Sequence, residues 1–218
     1  IAMRHHSWLI GLAVILVSGG CSRTAEPPAE SAKDLPIAHE RIALAAAEEW
    51  ITHGRDYAET RFSPLDEINS ESVGELGLAW YFDVPTRRGM EATPIVAEGR
   101  LFVTGSWSVV YALDAATGEP LWTYDPQVPK SWAQYACCDV VNRGVAFWGD
   151  SVFVGTLDGY LVSLDAATGK VNWKVDTIDR KPPYTITGAP RVVQGKVIIG
   201  NGGADLGVRG YVTAYEAD

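Results

Sequence analysis

The stretch Ala112-Leu-Asp-Ala-Ala-Thr-Gly-Glu-Pro-Leu-Trp122 recurs as Ser163-Leu-Asp-Ala-Ala-Thr-Gly-Lys-Val-Asn-Trp173. Asp114 corresponds to Asp165, Gly118 to Gly169 and Trp122 to Trp173, each pair 51 residues apart. Upstream, Leu101-Phe-Val-Thr-Gly105 matches Val152-Phe-Val-Gly-Thr156. A third copy runs from Val192-Val-Gln-Gly-Lys-Val-Ile-Ile-Gly200 to Tyr211-Val-Thr-Ala-Tyr-Glu216, and Glu216 lies 51 residues beyond Asp165. A period of about this size, built from several short strands, is the mark of propeller blades. Arg100-Leu-Phe-Val-Thr104 and Val109-Val-Tyr-Ala-Leu113 are short β-branched and aromatic runs between turn residues, as strands are. Asp114-Ala-Ala-Thr-Gly118 reads as a tight turn, because an Asp carboxylate accepts local backbone N–H groups and Gly supplies positive φ. Trp122 and Trp173 are packing residues in this reading, large flat side chains that lie against the next blade.

The expected architecture is all-β: a β-propeller of four-stranded blades, of which the chain holds the first, incomplete set. One helix is expected over Glu40 to Trp50, a helix-forming run that contains Ile42, Leu44 and three alanines. The third copy reaches Glu216-Ala-Asp218 where Thr-Gly-x-x-x-Trp is due. A blade needs two neighbours to bury both faces. The chain is therefore expected to be the front portion of a longer protein, and poorly soluble alone because it exposes a blade edge.

Residues 1–21 read as an export signal: Arg4, His5 and His6 precede a ten-residue apolar run, Trp8 to Val17, too short to span a bilayer. Ser18-Gly19-Gly20-Cys21 resembles a lipoprotein cleavage site, with Ser18 where an aliphatic residue is commoner. Two outcomes follow: lipidation of Cys21, or ordinary cleavage nearby. Residues 22–39 read as a linker and 40–218 as the propeller portion. The chain is 47% hydrophobic, enough for a packed core, and carries a net charge of −9. That charge opposes nucleic-acid binding, which requires cations to neutralise phosphates. No CxxC or HExxH spacing points to zinc.

Three clusters fall outside the blade pattern. The first is Cys137-Cys138 within Trp132-Ala-Gln-Tyr-Ala-Cys-Cys-Asp-Val-Val-Asn-Arg-Gly144. In an exported protein thiols tend to oxidise. The pair reads as two buried thiols, as bridges to partners elsewhere, or as a strained ring closed between neighbours. The second is Gly200-Asn-Gly-Gly-Ala-Asp-Leu-Gly-Val-Arg-Gly210. Its glycines permit close backbone approach, and Asp205 offers a hard oxygen suited to a calcium-like ion. The third is a pair of strand lead-ins, Glu91-Ala-Thr-Pro94 and Thr187-Gly-Ala-Pro190. Glu91 and Thr187 occupy the same step of each, at the start of an inner strand.

Together these residues resemble the quinoprotein alcohol dehydrogenases, exported enzymes that use pyrroloquinoline quinone (PQQ) and calcium. The resemblance covers roughly Trp50 to Asp218. Its most specific part is Ala136-Cys-Cys-Asp-Val-Val-Asn-Arg143, supported by His53-Gly-Arg-Asp-Tyr-Ala-Glu-Thr-Arg-Phe-Ser-Pro64. Asp125-Pro-Gln-Val-Pro129 is closer to the quinohaemoprotein branch than to the methanol-specific one. The family's propeller is eight-bladed. The resemblance implies that Cys137 and Cys138 form a disulfide ring lying flat on the quinone. It implies that Glu91, Arg143 and Thr187 hold the cofactor's carboxylates and carbonyls, and that Gly202, Gly203 and Ala204 approach it with backbone groups. Asp205 occupies the calcium-ligand position, where the family usually has Glu. Asp is one methylene shorter, so weaker metal binding is expected. Asp139 is expected to be structural, because the family's catalytic base belongs to a later blade, and no catalytic residue is expected within these 218 residues.

The implied activity is oxidation of alcohols to aldehydes or ketones in the periplasm. Electrons would pass to a cytochrome or quinone acceptor, with haem c in a further domain and a lipid anchor at Cys21. The fragment alone is expected to be inactive. A reading of another class is a non-catalytic propeller lipoprotein acting as an outer-membrane assembly scaffold. Cys21 favours that reading, whereas the cysteine pair and the glycine-rich insertion do not.

Overall fold

Two four-stranded antiparallel sheets and one three-stranded sheet carry the three copies of the repeat. The computed structural model describes residues 36–44, 46–178 and 183–218. The stretch read as an export signal, Cys21 and most of the residues read as a linker lie outside them. The first sheet has the order β1 (Ile95–Ala97), β2 (Arg100–Thr104), β3 (Val110–Asp114), β4 (Pro120–Tyr124). The second repeats it with β5 (Ala146–Trp148), β6 (Ser151–Gly155), β7 (Tyr160–Asp165) and β8 (Val171–Asp176). The third contains β9 (Arg191–Val193), β10 (Lys196–Gly200) and β11 (Val212–Glu216). The blade reading of the 51-residue period holds strand for strand. Even the irregularity is shared, since pairing slips between Ala112 and Leu113 and again between Ser163 and Leu164.

The turn that defines the repeat is built as its residues require. Asp165 Oδ1 accepts the Thr168 N–H at 2.7 Å and the Thr168 hydroxyl at 2.7 Å, and Gly169 N–H returns to Asp165 O at 2.8 Å. Asp114 does the same with Thr117. The Thr168 hydroxyl and N–H hold the Asp165 carboxyl below its ordinary value.

Side chains of the middle sheet alternate between its two neighbours, because successive strand residues point to opposite faces. Val152 and Val154 of β6 pack with Phe102 and Val110 of the first sheet. Phe153, between them, packs with Ile186, Val197 and Ile199 on the other side. All three β6 residues are fully buried, so a strand covered on both faces is apolar throughout.

The indole rings join one blade to the next. Trp122 donates from Nε1 to Ala166 O at 3.0 Å, and Trp173 donates to Ala217 O at 3.3 Å. Gly169 has φ +71°, and a Cβ there would lie 2.6 Å from the Trp122 ring. The structure adds a ring the repeat did not reveal. Trp80 donates to Ala115 O at 3.2 Å, and a Cβ on Gly118 would lie 2.4 Å from it. Residues 78–84 show the half-buried alternation of β8 around this Trp, with no strand partner among the described residues. They occupy the place of an outer strand one blade before β4. The spacing from Trp80 to Trp122 is 42 residues rather than 51, which hid the correspondence.

The expected helix is shorter than the sequence indicated: α1 spans His39–Leu44. Trp50 instead exchanges two backbone hydrogen bonds with Val96 of β1, each 2.9 Å. Glu49 turns inward to the buried Arg41 guanidinium at 2.5 Å. A continuous helix would forfeit both contacts. Ile37, inside the stretch read as linker, is buried, and its carbonyl accepts the Gly149 N–H at 2.7 Å. Packing therefore begins no later than Ile37.

Two predictions follow from these turns. Gly149 has φ +57° with nothing within 4 Å of a Cβ, whereas Gly169 combines positive φ with the Trp122 collision. In denaturant unfolding Gly149→Ala should cost about 1–2 kcal/mol for the left-handed backbone. Gly169→Ala should cost about 1–3 kcal/mol more from overpacking. Because folding depresses the Asp165 carboxyl from its ordinary 3.8, its contribution is present above that pH and is lost as pH falls through the folded value. Asp165→Asn should flatten the acid side of the melting-temperature profile and leave its slope near neutrality unchanged.

Candidate functional site

The lead-ins to the inner strands β1, β5 and β9 meet where neighbouring blades touch. The Thr93 N–H donates to Arg143 O at 3.2 Å, and the Arg143 N–H donates to Thr187 O at 2.9 Å. Arg143 is thus held by its backbone between the blades on either side. Its guanidinium follows the same line: Nη1 donates to Thr187 Oγ1 at 2.7 Å, and Nη2 lies 2.8 Å from Glu91 Oε2. Both partners are the lead-in residues singled out in the sequence.

Asn142 fixes this turn from beneath. Its buried amide donates to Gly155 O at 2.8 Å and to Ser108 Oγ at 3.1 Å, and its carbonyl accepts the Gly144 N–H at 3.0 Å. Gly144 has φ +123°, and a Cβ there would come within 2.9 Å of Thr93 O. Behind it stands His53, 8% exposed, whose Nε2 has no hydrogen-bond partner among the described residues. Burial, followed by the Arg191 charge, pushes the His53 pKa down, so its imidazole is neutral near pH 7.

Cys137 and Cys138 are bonded to each other. Of the readings open to the pair, the structure takes the ring of neighbours. The pair faces a cavity of about 180 Å³ lined by Cys137, Cys138, Arg143, Thr187, Gly202, Gly203, Ala204 and Asp205. Eight of the nine residues selected from the sequence therefore meet in one place. The ninth, Glu91, reaches it through Arg143. Asp139 does not line the cavity.

The glycine-rich wall is shaped by backbone. Gly202 N–H donates to Thr185 O at 2.7 Å, which draws the loop onto the third sheet's lead-in. Gly203 has φ +110°, and a Cβ would lie 2.7 Å from Val208 and 2.8 Å from Pro183 O. Residues Ala204–Leu206 then form a single 3-10 turn between two left-handed glycines, with Asp205 exposed. Among the described residues no group of three or more His, Cys, Asp or Glu side chains could hold a metal.

Tyr135, Val141, Thr185 and Leu206 also line the cavity and escaped the sequence reading. Thr185 was legible in principle, since residues two apart on an extended chain face one side and Thr187 had been selected.

Comparison with known proteins locates this arrangement. The family model for PQQ: glucose/ethanol/alcohol dehydrogenase, beta-propeller domain, matches residues 50–218. Quinohemoprotein alcohol dehydrogenase ADH IIB of Pseudomonas putida is 57% identical over 194 residues, covering 89% of this chain and 28% of the relative. A 1-butanol dehydrogenase (cytochrome c) of Thauera butanivorans is 60% identical over 174 residues, covering 79% and 25%. The solved structure of ADHIIG from Pseudomonas putida superposes with a TM-score of 0.82 at 55% identity, covering 85% and 28%. The chain spans about a quarter of the length of these curated relatives.

Alkylation of the denatured, unreduced protein should leave Cys137 and Cys138 unlabelled, and prior reduction should add two labels to the peptide that contains both. Labelling of either residue without reduction would contradict the ring.

Proposed function

The chain belongs to the PQQ glucose/ethanol/alcohol dehydrogenase β-propeller family, and on that premise we propose that it supplies cofactor-facing blades of an exported dehydrogenase that oxidises alcohols with PQQ and calcium. The observation that carries this reading is the convergence of the Cys137–Cys138 ring, Arg143, Thr187 and Asp205 on one cavity.

The residues present fit such a group. Gly203 admits no side chain, so the wall beside the cavity can close around a flat ligand. The donor set is matched to an anionic quinone: a guanidinium and a hydroxyl for its carboxylates and carbonyls, and a carboxylate for a hard cation. When bound, PQQ supplies the two-electron sink and calcium polarises its carbonyl.

The chain's own residues orient the cofactor. Arg143 offers N–H donors from a position fixed by bonds to Glu91 and Thr187. Glu91 occupies one edge of that guanidinium and so fixes its orientation, leaving the remaining N–H donors for the cofactor. The disulfide ring offers a flat, uncharged surface that excludes water from one face. Asp205 would contribute one oxygen to the metal. The proton acceptor for the alcohol belongs to residues outside this chain, and Asp139, turned to Arg88, takes no part.

The names of the relatives support alcohols as substrates and a cytochrome as acceptor. A quinone acceptor is the other route in this proposal, and the quinohemoprotein relatives support a haem c domain in the complete protein. The basic-then-apolar pattern of residues 1–21 supports a periplasmic location, with Cys21 as the residue an anchor would modify.

The complete protein, supplied with calcium and PQQ, should reduce an artificial dye when a primary or secondary alcohol is added. Absence of turnover with every such alcohol would overturn the assignment. Asp205→Asn should weaken calcium binding by on the order of tenfold, because affinity follows ligand charge. Asp205→Glu should strengthen it, as read by calcium titration of PQQ absorbance.

A further inference from the structure

The disulfide ring needs a fixed height to serve as the floor of a planar site, and nothing in its own two residues sets one. Its flanks are pinned by groups that the cofactor reading leaves without a task. Asp139, the residue after the ring, has φ +73° and pairs with Arg88 Nη1 across 51 residues of sequence. Val140 is 1% exposed, and its carbonyl accepts the Trp107 N–H at 2.8 Å. Trp107 and Ser108 have φ of +64° and +60°. Two successive non-glycine residues in the left-handed region persist only where surrounding contacts hold them there. Those contacts serve the same stretch of chain: Ser108 Oγ accepts from Leu157 N–H and from Asn142, each within 3.1 Å.

Arg88 is tied to that loop as well. Its backbone N–H donates to Thr86 Oγ1 at 3.1 Å, and Thr86 Oγ1 lies 2.6 Å from Ser106 Oγ. Its guanidinium carbon stands 5.7 Å from the centre of the Trp107 ring, and Lys130 Nζ stands 3.8 Å from the same ring. The ring face favours a cation, so Trp107 helps aim Arg88 at Asp139. The Val140 N–H, with Arg88 in addition, lowers the Asp139 carboxyl from its ordinary value, which keeps the pair charged at neutral pH.

We propose that Arg88 is a positioning residue that acts through Asp139 to hold the Cys137–Cys138 ring in place beneath the cofactor. This rests on the cofactor reading of the cavity for its consequence, but the clamp itself is measurable without the cofactor.

The test uses the complete protein and compares wild type with Asp139→Asn, Arg88→Met, the reversed pair Arg88→Asp with Asp139→Arg, and Arg87→Met. Two quantities are read. One is the rate at which a phosphine reduces the ring in PQQ-free protein, followed by alkylation and peptide mass. The other is PQQ affinity from quenching of tryptophan fluorescence. The two partners are half-exposed, so loss of the pair should accelerate reduction and weaken PQQ binding by about three- to fivefold. The reversed pair should recover much of both losses. Arg87→Met removes the same charge one residue away and should match wild type. Wild-type reduction rates in both Asp139→Asn and Arg88→Met would overturn the clamp, as would an Arg87→Met effect equal to theirs. Failure of wild type to bind PQQ would instead overturn the cofactor reading, and the reduction rates would still decide the clamp.

Discussion

An indole ring lying flat on a left-handed glycine turn is the contact on which the rest of this structure depends. Trp80 makes it on Gly118 and Trp122 on Gly169, and each adds an Nε1 hydrogen bond to a carbonyl of the neighbouring turn, a bond that Trp173 repeats with Ala217 O. The glycine is required twice over, for its positive φ and for the absent Cβ. Because ring and turn are offset by one blade, the contact fixes how far each sheet is rotated from the last. The apolar layers between the sheets then fill the space that the indoles define.

That rotation brings the inner-strand lead-ins together. Arg143 takes backbone bonds from both neighbouring lead-ins, so its guanidinium is aimed by three blades rather than by its own strand. A site at such a seam gains from its setting. A side chain whose backbone is held on both sides loses little further freedom when it binds, and that favours a preorganised anion contact. The same geometry explains why Glu91, Arg143 and Thr187 come from three separate repeats yet form one hydrogen-bonded row.

Much of this was legible in the chain because the repeat is explicit. Asp114 and Asp165 announce the turn, and the Trp five residues after Asp-Ala-Ala-Thr marks the outer strand. The residues around the cavity were readable from motif resemblance, which selected positions but not contacts. What could not be read was whatever depends on contacts distant in sequence. The helix was overextended because Trp50 pairs with Val96, a partner 46 residues away that no local propensity reveals. Trp80 was missed because it stands 42 residues before Trp122, outside the 51-residue period. Arg88 and Trp107 were missed because their roles appear only once the loops they join are side by side.

Two kinds of wall surround the cavity, and they differ in what they can tolerate. The floor, from Trp132 to Arg143, rests on the buried cluster of Val128, Val140 and Leu157 and is tied laterally to Arg88 and Trp107. A change there is transmitted into packed side chains, which yield little. The opposite wall, Gly202 to Gly207, is packed tightly at one end and openly at the other: a Cβ on Gly203 would collide with Val208 and Pro183 O, whereas a Cβ on Gly207 would meet nothing within 4 Å. Asp205 sits between these two glycines and is exposed. The shorter carboxylate therefore falls on the wall that can shift. On the proposed function, a cation held by Asp205 would act on the more openly packed Gly207 end of the loop, while the disulfide floor would stay braced by packed side chains. On that reading metal affinity and cofactor placement would be governed by different parts of the chain, the first by an openly packed loop and the second by packed blades.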